Sequence, residues 1–316
     1  MYINKLTLVS VMLLLALSGC GGGGDDKPTT TTTPFTPLNV PAAEATVENA
    51  TEAVSSIIGG IGTQEFSILA VSDAKPTGLD PLAFATKQLK IIQTVSSEAH
   101  ALNEVISQSY LCTQGGSISV TGNIDATSTN ATMTANSCTE SGMTMTGTMN
   151  MAMRGVNYGD SVSYMKLSFV TGFRVSGVQS MSIYSGSYIE MSYTIPLDYY
   201  TDIGAGTLRS SLWLETLGQN MRYDDLTIAF TQNGYSNGTN CYKSGRIYTQ
   251  NLTAYLDIDT AYDPNCSDPF VTSSFSVVSG SVRLLGNNGT TVTVRVTSPD
   301  TYLAEDENGN TLETVQ

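Results

Sequence analysis

Met143-Thr144-Met145-Thr146-Gly147-Thr148-Met149-Asn150-Met151-Ala152-Met153 is the run whose side chains could most readily do chemistry. In an extended strand successive side chains point to opposite faces. Met143, Met145, Met149, Met151 and Met153 then share one face, and Thr144, Thr146, Thr148 and Asn150 share the other. Thioethers are soft ligands that select Cu(I). They are also pliable apolar groups that fill irregular cores and adaptable binding surfaces. Copper sites commonly add His or Cys, which weights the run toward core or cavity lining, the face an apolar ligand would meet. No metal site and no cofactor are assigned.

Other candidates carry less. His100 is the single histidine and no G-x-S-x-G accompanies it, so no Ser-His-Asp assembly is indicated. No carboxylate pair stands out from the acidic background, although the two acids of a glycosidase can lie far apart in sequence. No catalytic residue is assigned, and a non-enzymatic protein is expected. Asp257, Asp259, Asp263 and Asp268 form an oxygen-rich stretch of the kind that suits Ca²⁺, as does the turn Asp306-Glu307-Asn308-Gly309-Asn310. Neither completes the D-x-[DN]-x-[DN]-G loop with its distal Glu, so solvated acidic loops are expected. Tyr199-Tyr200, Trp213, Tyr223 and Tyr235 would serve either a glycan- or protein-recognition surface or rim packing.

The elements that must position these groups change character along the chain. Residues 20–41 are rich in Gly, Thr and Pro and read as a flexible tether. Residues 42–111 read as a helical segment. Val47, Ala50, Val54, Ile57 and Ile58 fall at helical spacing, and Gly59-Gly60 is expected to end that helix. A second helix starts with Asp80 as N-cap, Pro81 in the first turn and a Leu79–Phe84 staple. Its apolar stripe runs from Phe84 through Leu89, Ile92, Val95 and Leu102 to Val105 and Ile106, about 30 residues in all. From Cys112 to Gln316 alternation replaces the 3.6-residue period, and strand-length runs follow one another to the C-terminus. Leu226, Ile228 and Phe230 alternate with Thr227 and Ala229, as do Val292, Val294 and Val296 with Thr293 and Arg295. That is antiparallel sheet with one face buried. Asn287-Asn288-Gly289 and Asn308-Gly309 are hairpin turns. The expected fold is mainly β with an N-terminal helical part. A large curved antiparallel sheet, or half-barrel, would pack on one long helix as a single domain.

The start of the chain carries a sharper signature. Met1 to Lys5 is short with one positive charge, Leu6 to Leu17 is mostly apolar, and Leu17-Ser18-Gly19-Cys20 closes the segment. The apolar run is too short to span a bilayer, which needs about 20 residues. Small residues after such a core mark a cleaved export signal. Leu17-Ser18-Gly19-Cys20 resembles the lipobox of bacterial lipoproteins. The resemblance implies that residues 1–19 are a signal peptide and that Cys20 carries acyl chains as the mature N-terminus. It also implies that membrane lipid is a partner through Cys20. Gly21 stands where that family's inner-membrane retention rule has Asp, which implies an outer-membrane address, periplasmic or surface-exposed. The C-x-x-[GS]-G starts at Cys112, Cys138 and Cys241 look like the grammar of uncharacterised β-rich bacterial lipoproteins, a resemblance that brings no activity.

Exported chains keep disulfides. Besides Cys20 there are Cys112, Cys138, Cys241 and Cys266, and four cysteines allow three pairings. The spacings of 26 and 25 positions, each spanning a strand-like stretch, predict Cys112–Cys138 and Cys241–Cys266. Metal ligation by the four lacks any CxxC pair or neighbouring His. The formal net charge of −14 disfavours nucleic acid, whose phosphates call for Lys and Arg.

Two functions are compatible with these features. One is a lipid-anchored binding or carrier module for an apolar ligand or partner protein. The other is a surface-exposed structural or adhesion lipoprotein. An open apolar cavity inside the sheet favours the first and a filled interior the second.

Overall fold

A computed structural model describes residues 35–62, 104–124, 128–140, 143–155, 161–177, 180–198, 203–216, 219–233, 237–273, 276–298 and 301–315. The lipobox with Cys20, His100, Tyr199, Tyr200, Tyr235 and the first three-quarters of the expected second helix lie outside the described residues.

The chain is mainly β. β1 (Glu104–Leu111), β2 (Ser117–Ile124), β3 (Ser128–Glu140), β4 (Met143–Arg154) and β5 (Ser161–Ser176) come first. β6 (Met181–Ile183), β7 (Tyr188–Asp198), β8 (Ile203–Thr216), β9 (Gln219–Asn233) and β10 (Gly238–Tyr248) follow. β11 (Tyr255–Ile258), β12 (Phe270–Ser273), β13 (Ser276–Leu285), β14 (Thr291–Ser298), β15 (Thr301–Glu305) and β16 (Thr311–Val315) complete the order. Among the described residues all belong to one 16-stranded antiparallel sheet in which neighbours in sequence are, with two exceptions, neighbours in space.

The exceptions share one design. β5 and β8 are bridged by two strands laid end to end, the short β6 and the longer β7. Phe173–Val175 pairs with β6, Ser161–Ser168 with β7, and residues 184–187 bulge between them. Likewise β10 and β13 are bridged by β11 and β12, with the longer loop 259–269 between. Each is a single strand position occupied by an interrupted strand.

Alternation places the core on one face of the sheet. Met153, Met165, Met191, Leu208 and Ile228 lie directly opposite one another across β4, β5, β7, β8 and β9, and all are buried. The reverse face of β3 and β4 carries the polar partners of the methionines. Thr132 donates to Asn150, Thr134 meets Thr148, and Thr139 meets Thr144. The turn at residues 287–289 joins β13 to β14 with Asn288 at φ 54° and Gly289 at φ 74°. Asn and Gly at that place supply the left-handed backbone such a hairpin requires.

One helix, α1 (Val47–Gly62), occurs among the described residues. The Thr46 hydroxyl accepts the Asn49 N–H, and Ala50, Ala53 and Val54 form its buried stripe against β13 and β14. It runs on through Gly59-Gly60. A helical glycine costs about 1 kcal/mol relative to alanine, a weakening and not a stop.

Three expectations need correction. Residues 104–111, expected as the end of a long helix, are β1, paired with β2 at every position from Glu104↔Ile124 to Leu111↔Ser117. Glu-Val-Ile-Ser-Gln-Ser-Tyr-Leu reads equally as a two-residue alternation, and pairing with a neighbouring strand decides it. The sheet therefore begins before Cys112, and a sheet packed on one long helix is not supported. Finally, of the strand-length runs expected after Cys112, those that sequence alternation sets at residues 173–183 and 247–260 each contain a reversal. β5 continues to Ser176 and β6 returns, while β10 ends at Tyr248 before a turn with Leu252 at φ 58°.

Candidate functional site

The polar face of the sheet holds a row of which the sequence reading singled out only Trp213. Trp213 on β8 lies opposite Arg222 on β9, and Tyr248 on β10 lies opposite Tyr255 on β11. Tyr184, in the bulge after β6, extends the row by stacking on Trp213 at 3.9 Å between ring centres. Arg222 is only 2% exposed. Its guanidinium lies 5.1 Å from the Trp213 and Tyr248 ring centres, and 4.5 Å from that of Phe35. Nε is 3.2 Å from Asp224 Oδ1, and the Tyr248 hydroxyl donates to Asp224 Oδ2 at 2.6 Å. A buried cation thus has a carboxylate partner and aromatic walls, the conditions under which a charge is tolerated away from water. Burial first, and then the bond to Asp224, pushes the Tyr248 phenol above its ordinary 10.

This row fastens the segment that precedes α1. Arg222 Nη2 donates to the Thr36 carbonyl, and Tyr255 N–H donates to the Pro41 carbonyl. Ala42 forms a parallel bridge with Tyr255. Ala43 then accepts from Asn287 N–H, and Ala45 N–H donates to Thr290 Oγ1. Residues 35–45 are therefore a strap. It lies on the polar face at Arg222, slips between β11 and the β13–β14 turn, and emerges on the core face as α1. Gly286 makes the crossing feasible, because a Cβ there would stand 2.3 Å from Ala45 N and 2.6 Å from the Ala43 carbonyl. The tether expected over residues 20–41 thus has a docked C-terminal end from Phe35 onward.

Beside the strap is a cleft of about 290 Å³ on the polar face. It exists because two irregularities adjoin. Residues 184–187 interrupt the strand between β5 and β8, and the β8–β9 register shifts between Ser210 and Leu212. Buried hydroxyls stitch both breaks: Ser187 Oγ accepts Trp213 N–H at 3.1 Å, and Ser211 Oγ accepts Asp225 N–H at 2.9 Å. Asp225, at φ 51°, projects from the bulge. Bulges of this kind re-aim side chains. The Tyr188 hydroxyl donates to Asp225 Oδ1 at 3.3 Å, Lys166 Nζ sits 4.9 Å over the Tyr188 ring, and Lys166 pairs with Glu190 at 3.2 Å. Tyr164 donates to the same Glu190, and burial followed by that carboxylate raises its pKa above the usual phenol value.

The second interrupted strand presents a closed surface. Both predicted disulfides are present, Cys112–Cys138 with Cα atoms 5.4 Å apart and Cys241–Cys266 with 5.6 Å. The latter pins loop 259–269 to β10. Arg283 pairs with Asp259 at 3.9 Å, and Arg295 pairs with Asp268 at 2.6 Å and Glu305 at 3.4 Å. Tyr262 lies over Arg283, and its hydroxyl meets Ser281 Oγ. The space left is about 10 Å³. The acidic stretch is accordingly occupied from within. Asp257 serves Arg246, while Asp263 accepts the N–H groups of Ser267 and Asp268. Burial raises the Asp263 pKa, but those N–H groups and the Ser267 hydroxyl outweigh it and hold it below 3.8. Asp306 is held below 3.8 by the Asn310 side chain and backbone and by Asn308. No group of three or more potential metal-ligating side chains occurs among the described residues.

The methionine run lies in β4 with the alternation expected. Met149 and Met153 are buried, and Met145 and Met151 are partly buried against the same core cluster. Met143 occupies the first position of the strand. Of the expected recognition aromatics, Trp213 is on the polar face and Tyr223 is fully buried in the core. No helix among the described residues is long and apolar enough to cross a membrane. No family model, curated protein or solved structure matches the chain.

Proposed function

We propose that this protein is a lipid-anchored, non-enzymatic lipoprotein of the bacterial outer membrane, whose sheet is a scaffold that presents its polar face to a partner. The observation that carries this reading is the packing of the methionine row. Met153, Met165 and Met191, the side chains best suited to line an apolar ligand cavity, are at most 1% exposed and meet one another across three strands. A sheet this broad coils through its own twist, and curvature toward a half-barrel around that buried row accords with it. The carrier reading calls for an apolar hollow there. Among the described residues a cleft of about 290 Å³ opens on the polar face, lined by Asp224 and Asp225.

Lipid extraction from the purified full chain, followed by mass spectrometry, tests this. The acyl chains on Cys20 are expected as the sole lipid. Stoichiometric non-covalent lipid retained after detergent exchange would establish the carrier instead. Cys20→Ser is expected to move the protein from the membrane to the soluble fraction, and unchanged membrane retention would remove the anchor.

A further inference from the structure

We propose that the polar-face cleft is a binding site for a neutral saccharide, an inference that rests on the reading that this face meets the partner. Three features point to that ligand class. First, the cleft is lined by aromatic rings, Phe35 of the strap and Tyr188 of β7, with Ser168 and Ser211 flanking Tyr188 on the neighbouring strands. Sugar rings present C–H faces that pack on aromatic side chains and hydroxyls that need donors and acceptors together. Second, the polar groups offer both in one place. The Lys166 ammonium only donates, the Asp225 carboxylate only accepts, and serine hydroxyls do either. Third, the charges balance. Lys166 pairs with Glu190 at 3.2 Å, Arg209 with Asp225 at 3.9 Å and Arg222 with Asp224 at 3.2 Å. A cleft whose lining charges, Lys166, Asp224 and Asp225, are all paired, on a chain of net charge −14, does not attract a polyanion.

The site is also held in shape. Asp225 sits at a register break with its N–H fixed on Ser211, and Tyr188 is tied to it through the phenol. The volume of about 290 Å³ is at the small end for a ligand pocket and suits one or two sugar rings.

The protein carries its own reporter. Trp213 is the single tryptophan, and its backbone N–H bonds Ser187 of the cleft. Titrating the full chain in detergent with maltotriose, cellotriose and chitotriose, and reading Trp213 emission with calorimetry, tests the proposal. A saturable response to at least one trisaccharide is expected. Tyr188→Ala is expected to weaken it about tenfold by removing the packing face. Asp225→Asn should weaken it while keeping the fold, because Asn tolerates positive φ. Unfolding temperatures of both variants identify any that fail to fold, and the other then decides. No saturable response to any of the three, a response unchanged in both folded variants, or preference for a heparin-derived polyanion overturns the proposal. Non-covalent lipid in the same preparation would overturn the scaffold reading alone, so the two failures are distinguishable.

Discussion

The sheet solves the same topological problem twice, with opposite results. Between β5 and β8, and again between β10 and β13, one strand position is filled by two collinear pieces. In the first case the interruption is residues 184–187, too short to fold back, and the gap stays open as a cleft stitched by Ser187 and Ser211. In the second, loop 259–269 is long enough to lie over the polar face. A disulfide and the Asp–Arg pairs hold it there, and the gap closes to about 10 Å³. The length and fastening of the insert, and not the break itself, decide whether a surface is available.

Breaking the support of the open site should have the largest effect. Arg222→Ala leaves Asp224 buried without its cation, and loss of about 3–5 kcal/mol is expected by denaturant unfolding. Adding Asp224→Ala should recover part of that loss, which separates an uncompensated charge from lost packing. Releasing the closed site comes next. Replacing Cys241 and Cys266 together with Ser should cost about 3.5 kcal/mol in the chain-entropy picture and increase hydrogen exchange in loop 259–269. Protection unchanged there would show that the Asp–Arg pairs suffice. Ser187→Ala withdraws the hydroxyl that accepts the Trp213 N–H. It is expected to cost about 1–3 kcal/mol and to shift Trp213 emission. The smallest effect is acid sensitivity of the closed loop. The Asp263 pKa lies below its unfolded value, so its stabilisation is complete above about pH 4 and is lost as pH falls through the folded value. NMR titration should find Asp263 ionising below an ordinary aspartate, and Asp263→Asn should flatten that limb.

The parts legible in the sequence were those with local signals. Alternation marked most strands, Asn-Gly marked two hairpins, and the cysteine spacing gave both pairings. The inward face of Met149 and Met153 also followed from period alone. What stayed hidden depends on partners distant in the chain. Val105 and Ile106 fit a helical stripe as well as a strand, and only β2 distinguishes them. Arg222-Tyr223-Asp224-Asp225 looks like a surface charge run. Yet Arg222 is buried because Phe35 covers it and Trp213 and Tyr248 flank it. The break at residues 184–187 carries Ser and Gly but no marker that a second strand resumes in line with the first. The acidic stretch was legible as composition and not as pairing, because its arginines come from other strands.

The strap has a consequence for the order of assembly. Ala45 and Thr290, which bond where the strap crosses the sheet, are 245 positions apart. A chain made from its N-terminus therefore leaves residues 41–43 unpaired until Tyr255 of β11 exists and Ala45 unpaired until the β13–β14 turn exists, and such distant contacts form late. Full seating of the strap thus reports that β11 and the β13–β14 turn are in place. A chain truncated before Tyr255 should still pair its early strands but leave residues 41–45 open to proteolysis, whereas one truncated before Thr290 should leave only the Ala45 end loosened.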